Sequence, residues 1–294
     1  MHNIKHNQDS NILEIEDSEN QMYAKIHLND GASLQELTLN GHAVIKDLAP
    51  LTYADTYASS ILFPFANRIK DGSYFFNNTN YQLEINQEEE NNALHGLVYN
   101  KVFQIANSQT NKDITIIILE YIETEESVGF PYTYTIQLQY VFTKDNLSLK
   151  VSVKNTDSKT FPFNIGWHPY FISEDLYSST LQFDSTQKLI IGDRNITTGF
   201  EDIEPMNTFE IKDKQLDDCW ILNSNTVQFN TPKYQLEIGS SAKNNFLQAY
   251  TPPKLNTIAI EPTTGVSNSF NNKIGLEVLN ANETYNIIWN LKIK

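Results

Sequence analysis

The sequence predicts an all-β protein, a large antiparallel sandwich with few short helices, and three observations predict it. Apolar residues recur with period two along most of the chain, Asp-Gly and Asn-Gly pairs punctuate the runs, and no longer window carries a continuous apolar stripe at helical spacing. Alternation gives each strand one buried and one wet face, and many such strands joined by tight turns close into a sandwich.

The elements follow in chain order. Residues 1–20, MHNIKHNQDSNILEIEDSEN, read as a loosely ordered N-terminal segment. From Met22, MYAKIHLNDGASLQELTLNGHAVI holds three extended runs separated by Asp30-Gly31 and Asn40-Gly41, dipeptides that supply the positive φ angles of hairpin turns, so a β-meander is expected. YQLEINQ from Tyr81 and DITIIILEYIE read as further strands. The acidic run Glu88 to Glu90 reads as a solvated loop. In TIQLQYVFTKDNLSLKVSVKN, Ile136, Leu138, Tyr140 and Phe142 share one face; after a polar turn, Leu147, Leu149, Val151 and Val153 do the same. YQLEIGS from Tyr234 and the closing YNIIWNLKIK complete the series, and helices are expected only as short connectors, as around Ile172 to Ser179. No Pro/Gly/Ser-rich linker or charge block marks a boundary, so residues 1–294 are read as one domain, a monomer or homodimer.

Composition narrows the function. The 294 residues are 40% hydrophobic and 19% charged, with 15 Tyr and 16 Phe, the balance of a folded chain rather than a disordered one. A net charge of -15 without a Lys/Arg cluster argues against nucleic acid and anionic membrane surfaces as partners. The one cysteine, Cys219, excludes an internal disulfide framework and a multi-cysteine zinc site. The opening residues lack the apolar core of about 7 to 15 residues of a signal peptide, and no apolar run approaches the ~18 residues of a membrane span, so a soluble, cytoplasmic protein is expected.

Four stretches can carry chemistry. FPFANRIKDG places Arg68, one of only two arginines, beside Asn67, where a planar guanidinium fork suits hydroxyl or carboxylate oxygens; alone it reads equally as a structural arginine. In NNALHGLVYN, His95 precedes Gly96, and alone it reads as a turn histidine. FNIGWHPYF sets His168 between Trp167 and Pro169, and proline in an extended run marks an edge or bulge where a side chain can be re-aimed. In LNTIAIEPTTG, Glu261 leaves an apolar strand, as a solvent-facing terminus or as a base at a cleft rim. Phe63, Trp167, Tyr170 and Trp220 are possible aromatic platforms, each more readily read as core.

Taken in order, Asn67-Arg68-Ile69 with Gly72, Tyr81 and Leu83, then Leu94-His95-Gly96, His168-Pro169-Tyr170-Phe171, Asp217 in QLDDCWIL, and Glu261-Pro262 with Gly265, Asn268 and Phe270 resemble the aldose 1-epimerase (mutarotase) family. The resemblance implies a β-supersandwich of the galactose mutarotase type with a shallow sugar cleft. It implies Glu261 as general base, His168 as general acid, His95 as an assistant at the ring, and Arg68 and Asp217 as holders of hydroxyls. Asn67, beside Arg68 in the matched stretch, and Trp167, as an aromatic surface beside His168, are read as further sugar contacts. Asp218 adjoins Asp217 and stays an alternative. Where galactose mutarotases tend to read His-Gly-Gly and Asn-His-Ser-Tyr-Phe, this chain has His95-Gly96-Leu97 and Trp167-His168-Pro169-Tyr170-Phe171. That departure leaves the reaction class standing and opens the choice of sugar.

The chemistry fits these residue types. Mutarotation removes a proton from the anomeric hydroxyl and delivers one to the ring oxygen, work for one carboxylate and one imidazole, with no metal and no cofactor. Two histidines and a carboxylate can also bind zinc or iron, but here they lack the short spacings of common metal motifs. No Gly-x-Ser-x-Gly elbow is present. Three readings remain: an epimerase of a free aldohexose such as glucose or galactose, an epimerase of a hexose 6-phosphate, and a non-catalytic sugar-binding sandwich. One spare arginine, Arg194, and the net negative charge favour the first over the second.

Overall fold

The alternating runs become pleated strands whose inward residues are buried one after another. In the computed structural model, which describes residues 3–294, Tyr134–Phe142 and Asn146–Asn155 pair antiparallel from Tyr134 opposite Asn155 to Phe142 opposite Leu147. All eight apolar residues assigned to their shared face are buried. Thr115–Glu123 flanks this hairpin on one side and Thr284–Ile293 on the other. From Thr284–Ile293 the sheet continues through Gln235–Ser240, Thr226–Asn230, Thr180–Ile191, Asp217–Leu222, Phe246–Tyr250, Thr257–Thr263 and Gly166–Trp167 to Ile61–Leu62. It holds fifteen strands among the described residues.

A second sheet is the N-terminal meander. Met22–His27, Ser33–Leu39 and His42–Ile45 pair in sequence order, with Asn40 and Gly41 at positive φ in the second turn. The loose N-terminal segment is not what the described part shows: Asn3–Asn7 and Ile12–Asp17 extend this sheet by two strands. Ile12–Asp17 is held because Leu13 and Ile15 turn into the core while the strand pairs with Met22–His27. Residues 1–2 fall outside the described residues.

Two further expectations need correction. Residues 173–179 are turns rather than a helical connector, because side chains take over the backbone's donors: Asp175 N donates to Ser173 Oγ, and Tyr177 N donates to Asp175 Oδ1. The one-turn helices lie instead at Tyr53–Thr56, closed by a capping box between Thr52 and Asp55, and at Ser269–Asn272. Glu88–Glu90 is a 3-10 turn in which Glu88 and Glu89 are solvated as expected, whereas the Glu90 carboxylate is bound by Arg68.

A small ribbon carries part of the site. Arg68–Lys70 pairs with Asn92–Leu94, ending at Arg68 opposite Leu94, and His95 N then donates to Asn67 O at 2.9 Å. Asn67 and His95 both sit in the left-handed region, at φ 60° and 61°. Gly96 follows at φ 77°, and a Cβ there would lie 2.2 Å from Phe63 O, so only glycine lets the chain pass this close.

Two outcomes follow. Leu138→Ala is expected to cost roughly 2 to 5 kcal/mol in urea unfolding, against within about 0.5 kcal/mol for Gln139→Ala on the wet face of the same strand; equal effects would contradict the alternation. Gly96→Ala is expected to cost at least about 1 to 3 kcal/mol by the same measurement, because it adds both left-handed strain and a backbone clash.

Candidate active site

The site is written on one face of the sheet by its register. Gly166 lies opposite Thr263 and Tyr170 opposite Ala259, so the same register carried through the break between these pairs sets His168 opposite Glu261. Pro169 interrupts the ladder there, and the His168 backbone turns to the other neighbour, with His168 N donating to Ser60 O at 3.1 Å and Ser59 N to His168 O at 2.8 Å. Glu261 is in turn opposite Gln248, and Tyr250 is opposite Asp217. Paired residues of an antiparallel ladder project to the same side, so His168, Glu261 and Gln248 form one row and Tyr170, Tyr250 and Asp217 the next.

These rows floor a cleft of about 210 Å³, and the ribbon brings Asn67, Arg68 and His95 to its wall. His168 Nε2 stands 3.4 Å from Glu261 Oε1, with the two residues 5% and 3% exposed. The Tyr170 ring stacks on His168 at 4.9 Å and 22°, and His95 meets the same imidazole edge-on at 5.1 Å. Tyr57, at the end of the first short helix, packs 4.8 Å from His95. Gln248 Nε2 donates to Asp217 Oδ1 at 2.7 Å, which orients that carboxylate at the cleft mouth. Arg68 donates through Nε to Glu90 at 2.9 Å and Gln87 at 3.1 Å, and through Nη1 to Asn67 at 3.0 Å.

The same alternation removes one expected contact. Trp167 precedes His168, so it faces the opposite side, fully buried and stacked on Trp289 at 6.1 Å; it does not line the cleft. Phe63 and Trp220 are likewise core residues, packed against Phe161 and Phe183 among others, which leaves Tyr170 as the one platform candidate that reaches the cleft. Asp217 faces the cleft, whereas Asp218 turns away to pair with Lys188. Tyr57, Gln87, Gln248 and Tyr250 also line it and were not singled out in the sequence. For Gln248 and Tyr250 a signal existed, since in FLQAY they alternate with Leu247 and Ala249. For Tyr57 and Gln87 there was none.

Burial governs the electrostatics. It pushes the Glu261 carboxyl well above the usual carboxylate range, with Asp217 adding to the rise and Arg68 opposing it. It pushes the His168 imidazole down to about 4 and holds His95 well below its ordinary value, His168 and Arg68 adding to the latter. The Asp217 carboxyl is also raised, by lost solvation against the pull of Arg68. Both shifts at the central pair favour the state with a single proton between Glu261 and His168, and so does their mutual attraction. Such a unit can accept a proton at one atom and release one at the other. His168 Nδ1 and His95 Nδ1 are buried without a hydrogen-bond partner among the described residues.

Known proteins bear on this arrangement. The aldose 1-epimerase family model matches residues 12–292. The uncharacterized protein YihR of Escherichia coli K12 is 24% identical over 281 residues, 89% of this chain and 87% of that protein. A galactose mutarotase-like protein from Clostridium acetobutylicum superposes with a TM-score of 0.85 at 19% identity, covering 100% of this chain and 98% of that one. The galactose 1-epimerase of Lactobacillus acidophilus superposes at 0.81, also 19% identical, over 100% and 98%. The structural likenesses establish the galactose mutarotase-like fold that the resemblance implied. With the family match running nearly end to end, the chain belongs to the aldose 1-epimerase family.

Proposed function

We propose that this protein is a mutarotase that interconverts the α and β anomers of an uncharged aldohexose such as glucose or galactose by opening and reclosing the ring. The observation that carries the proposal is the pair of buried, cross-strand side chains His168 and Glu261, 3.4 Å apart on the floor of a polar cleft. The anomeric hydroxyl and the ring oxygen are bonded to the same carbon, so the acid and the base must be neighbours rather than stand at opposite ends of the sugar. In this reading Glu261 takes the proton of the anomeric hydroxyl and His168 delivers one to the ring oxygen. Rotation about the C1–C2 bond follows, and the groups exchange roles as the ring closes.

Starting with the proton on His168 opposes burial, which favours the neutral forms; the attraction of Arg68 for Glu261 and of the pair for each other supports it. His95 assists at the ring, while Arg68, Asn67 and Asp217 hold hydroxyls and Tyr170 supplies an apolar face. An uncharged sugar suits a wall in which Asp55 and Asp217 face the cleft and no lysine does, among the described residues. No helix among them is long and apolar enough to cross a membrane, and a cytoplasmic setting is part of the proposal.

The test is anomer interconversion of fresh glucose and galactose, followed by polarimetry. Glu261→Gln and His168→Asn are each expected to lower kcat by about 10² to 10⁴; full rates in both variants, or no rate above buffer for any hexose in the wild type, would overturn the reading. The pH profile of kcat/KM should be a broad bell. As pH falls the pair gains a second proton and loses its base, and with His168 lowered to about 4 this limb lies well below the ordinary imidazole range. As pH rises the pair loses its one proton and with it the acid, and with Glu261 raised this limb lies above the usual carboxylate range. An acid limb at about 6.5, the value of a free imidazole, would contradict the burial argument.

A further inference from the structure

Arg68 is the one cation in the cleft wall among the described residues, and it is already engaged. Its Nε lies 2.9 Å from Glu90 Oε2, and the Glu90 side chain is 26% exposed. Glu90 is itself held from the far side of the sequence. Asn195 Nδ2 donates to its other carboxylate oxygen at 2.7 Å, and Arg194 Nε donates to its backbone oxygen at 2.6 Å. Arg194 Nη2 also reaches Asp71, Asn91 O and Asn92, so the second arginine of the chain is spent clamping the Glu90 turn. With its backbone fixed by Arg194, the Glu90 side chain cannot swing away from Arg68 without also giving up its hydrogen bond from Asn195.

We propose that Glu90 sets the charge of the sugar this cleft admits: by neutralising Arg68 it denies a phosphorylated or carboxylated hexose the cation that such a ligand requires. The inference rests on the sugar-epimerase reading and adds the residue that decides between a free and an anionic hexose. Its physical basis is the loss of long-range attraction when a cation is paired at contact distance, which leaves Asp55 and Asp217 to dominate the field in the cleft, the Glu261–His168 pair carrying no net charge. The guanidinium keeps Nη2, which makes no protein hydrogen bond among the described residues, for an uncharged hydroxyl.

The test compares the full-length wild type with Glu90→Gln and Glu90→Asp. Dissociation constants for glucose and glucose 6-phosphate are measured by NMR titration, with turnover of each recorded alongside. Glu90→Gln is expected to shift the affinity ratio toward the phosphate by about tenfold, and Glu90→Asp, which keeps the charge, to leave the ratio near wild type. A residue that merely shapes the turn would weaken both sugars together, and an unchanged ratio in Glu90→Gln overturns the proposal. Should that variant fail to fold, Gln87→Glu adds a carboxylate beside Arg68 Nε and must move the ratio about tenfold the other way; no movement overturns the proposal equally. Wild type that binds sugar without turning it over would defeat the epimerase reading while the binding ratio still judges Glu90.

Discussion

The register between the His168 segment and Thr257–Thr263 is the constraint on which the cleft depends. Two short strands, Gly166–Trp167 and Tyr170–Ile172, pair with Thr257–Thr263 on either side of Pro169 without a slip. A slip of one residue by Thr257–Thr263 would turn Glu261 inward and bring Ile260 to the cleft, and a slip by the His168 segment would exchange His168 for a neighbour such as Trp167. The register is secured from behind. Trp167 packs on Trp289, and Ile258 and Ile260 are fully buried, so any shift would expose large apolar surface. Gly166 adds a local restriction, because a Cβ there would lie 2.9 Å from Thr263 Cγ2.

The electrostatic character of the site follows from that depth. Two titratable groups placed opposite each other on a dry sheet face are each driven toward neutrality, and the cheapest arrangement is one shared proton. Around this unit Asp217 and Arg68 pull in opposite directions on Glu261. The site thus keeps an acid and a base available together without exposing a full charge to low-dielectric surroundings.

Much of this was legible in the sequence, for reasons that differ by element. Tyr134–Phe142 and Asn146–Asn155 announce themselves because both bury one face and wet the other, so alternation survives intact. Asn3–Asn7 does not, since only Ile4 packs against the core and its other four residues are exposed, so no alternation shows. Arg68, His95, His168, Asp217 and Glu261 were identifiable as chemical types, and they meet in one cleft. Residue type alone points Trp167 at a sugar, but strand parity turns it into the core, and the same parity sets Asp217 in the cleft and Asp218 outside it. Glu90 was read as solvated because its partners lie about a hundred residues away at Arg194 and Asn195, and loop docking over that separation leaves no local trace.

The Arg194 clamp has an architectural consequence. The hairpin formed by Thr180–Ile191 and Thr197–Glu210 reaches over to grip the Glu88–Glu90 turn, while the His168–Glu261 pair sits in the sheet floor below. Under the proposed roles, reactivity and taste are therefore stored in separate parts: one in a register that tolerates no slip, the other in loop tips held by a few polar contacts. A lineage could retune which sugar it recognises by editing those tips, leaving the reaction itself untouched.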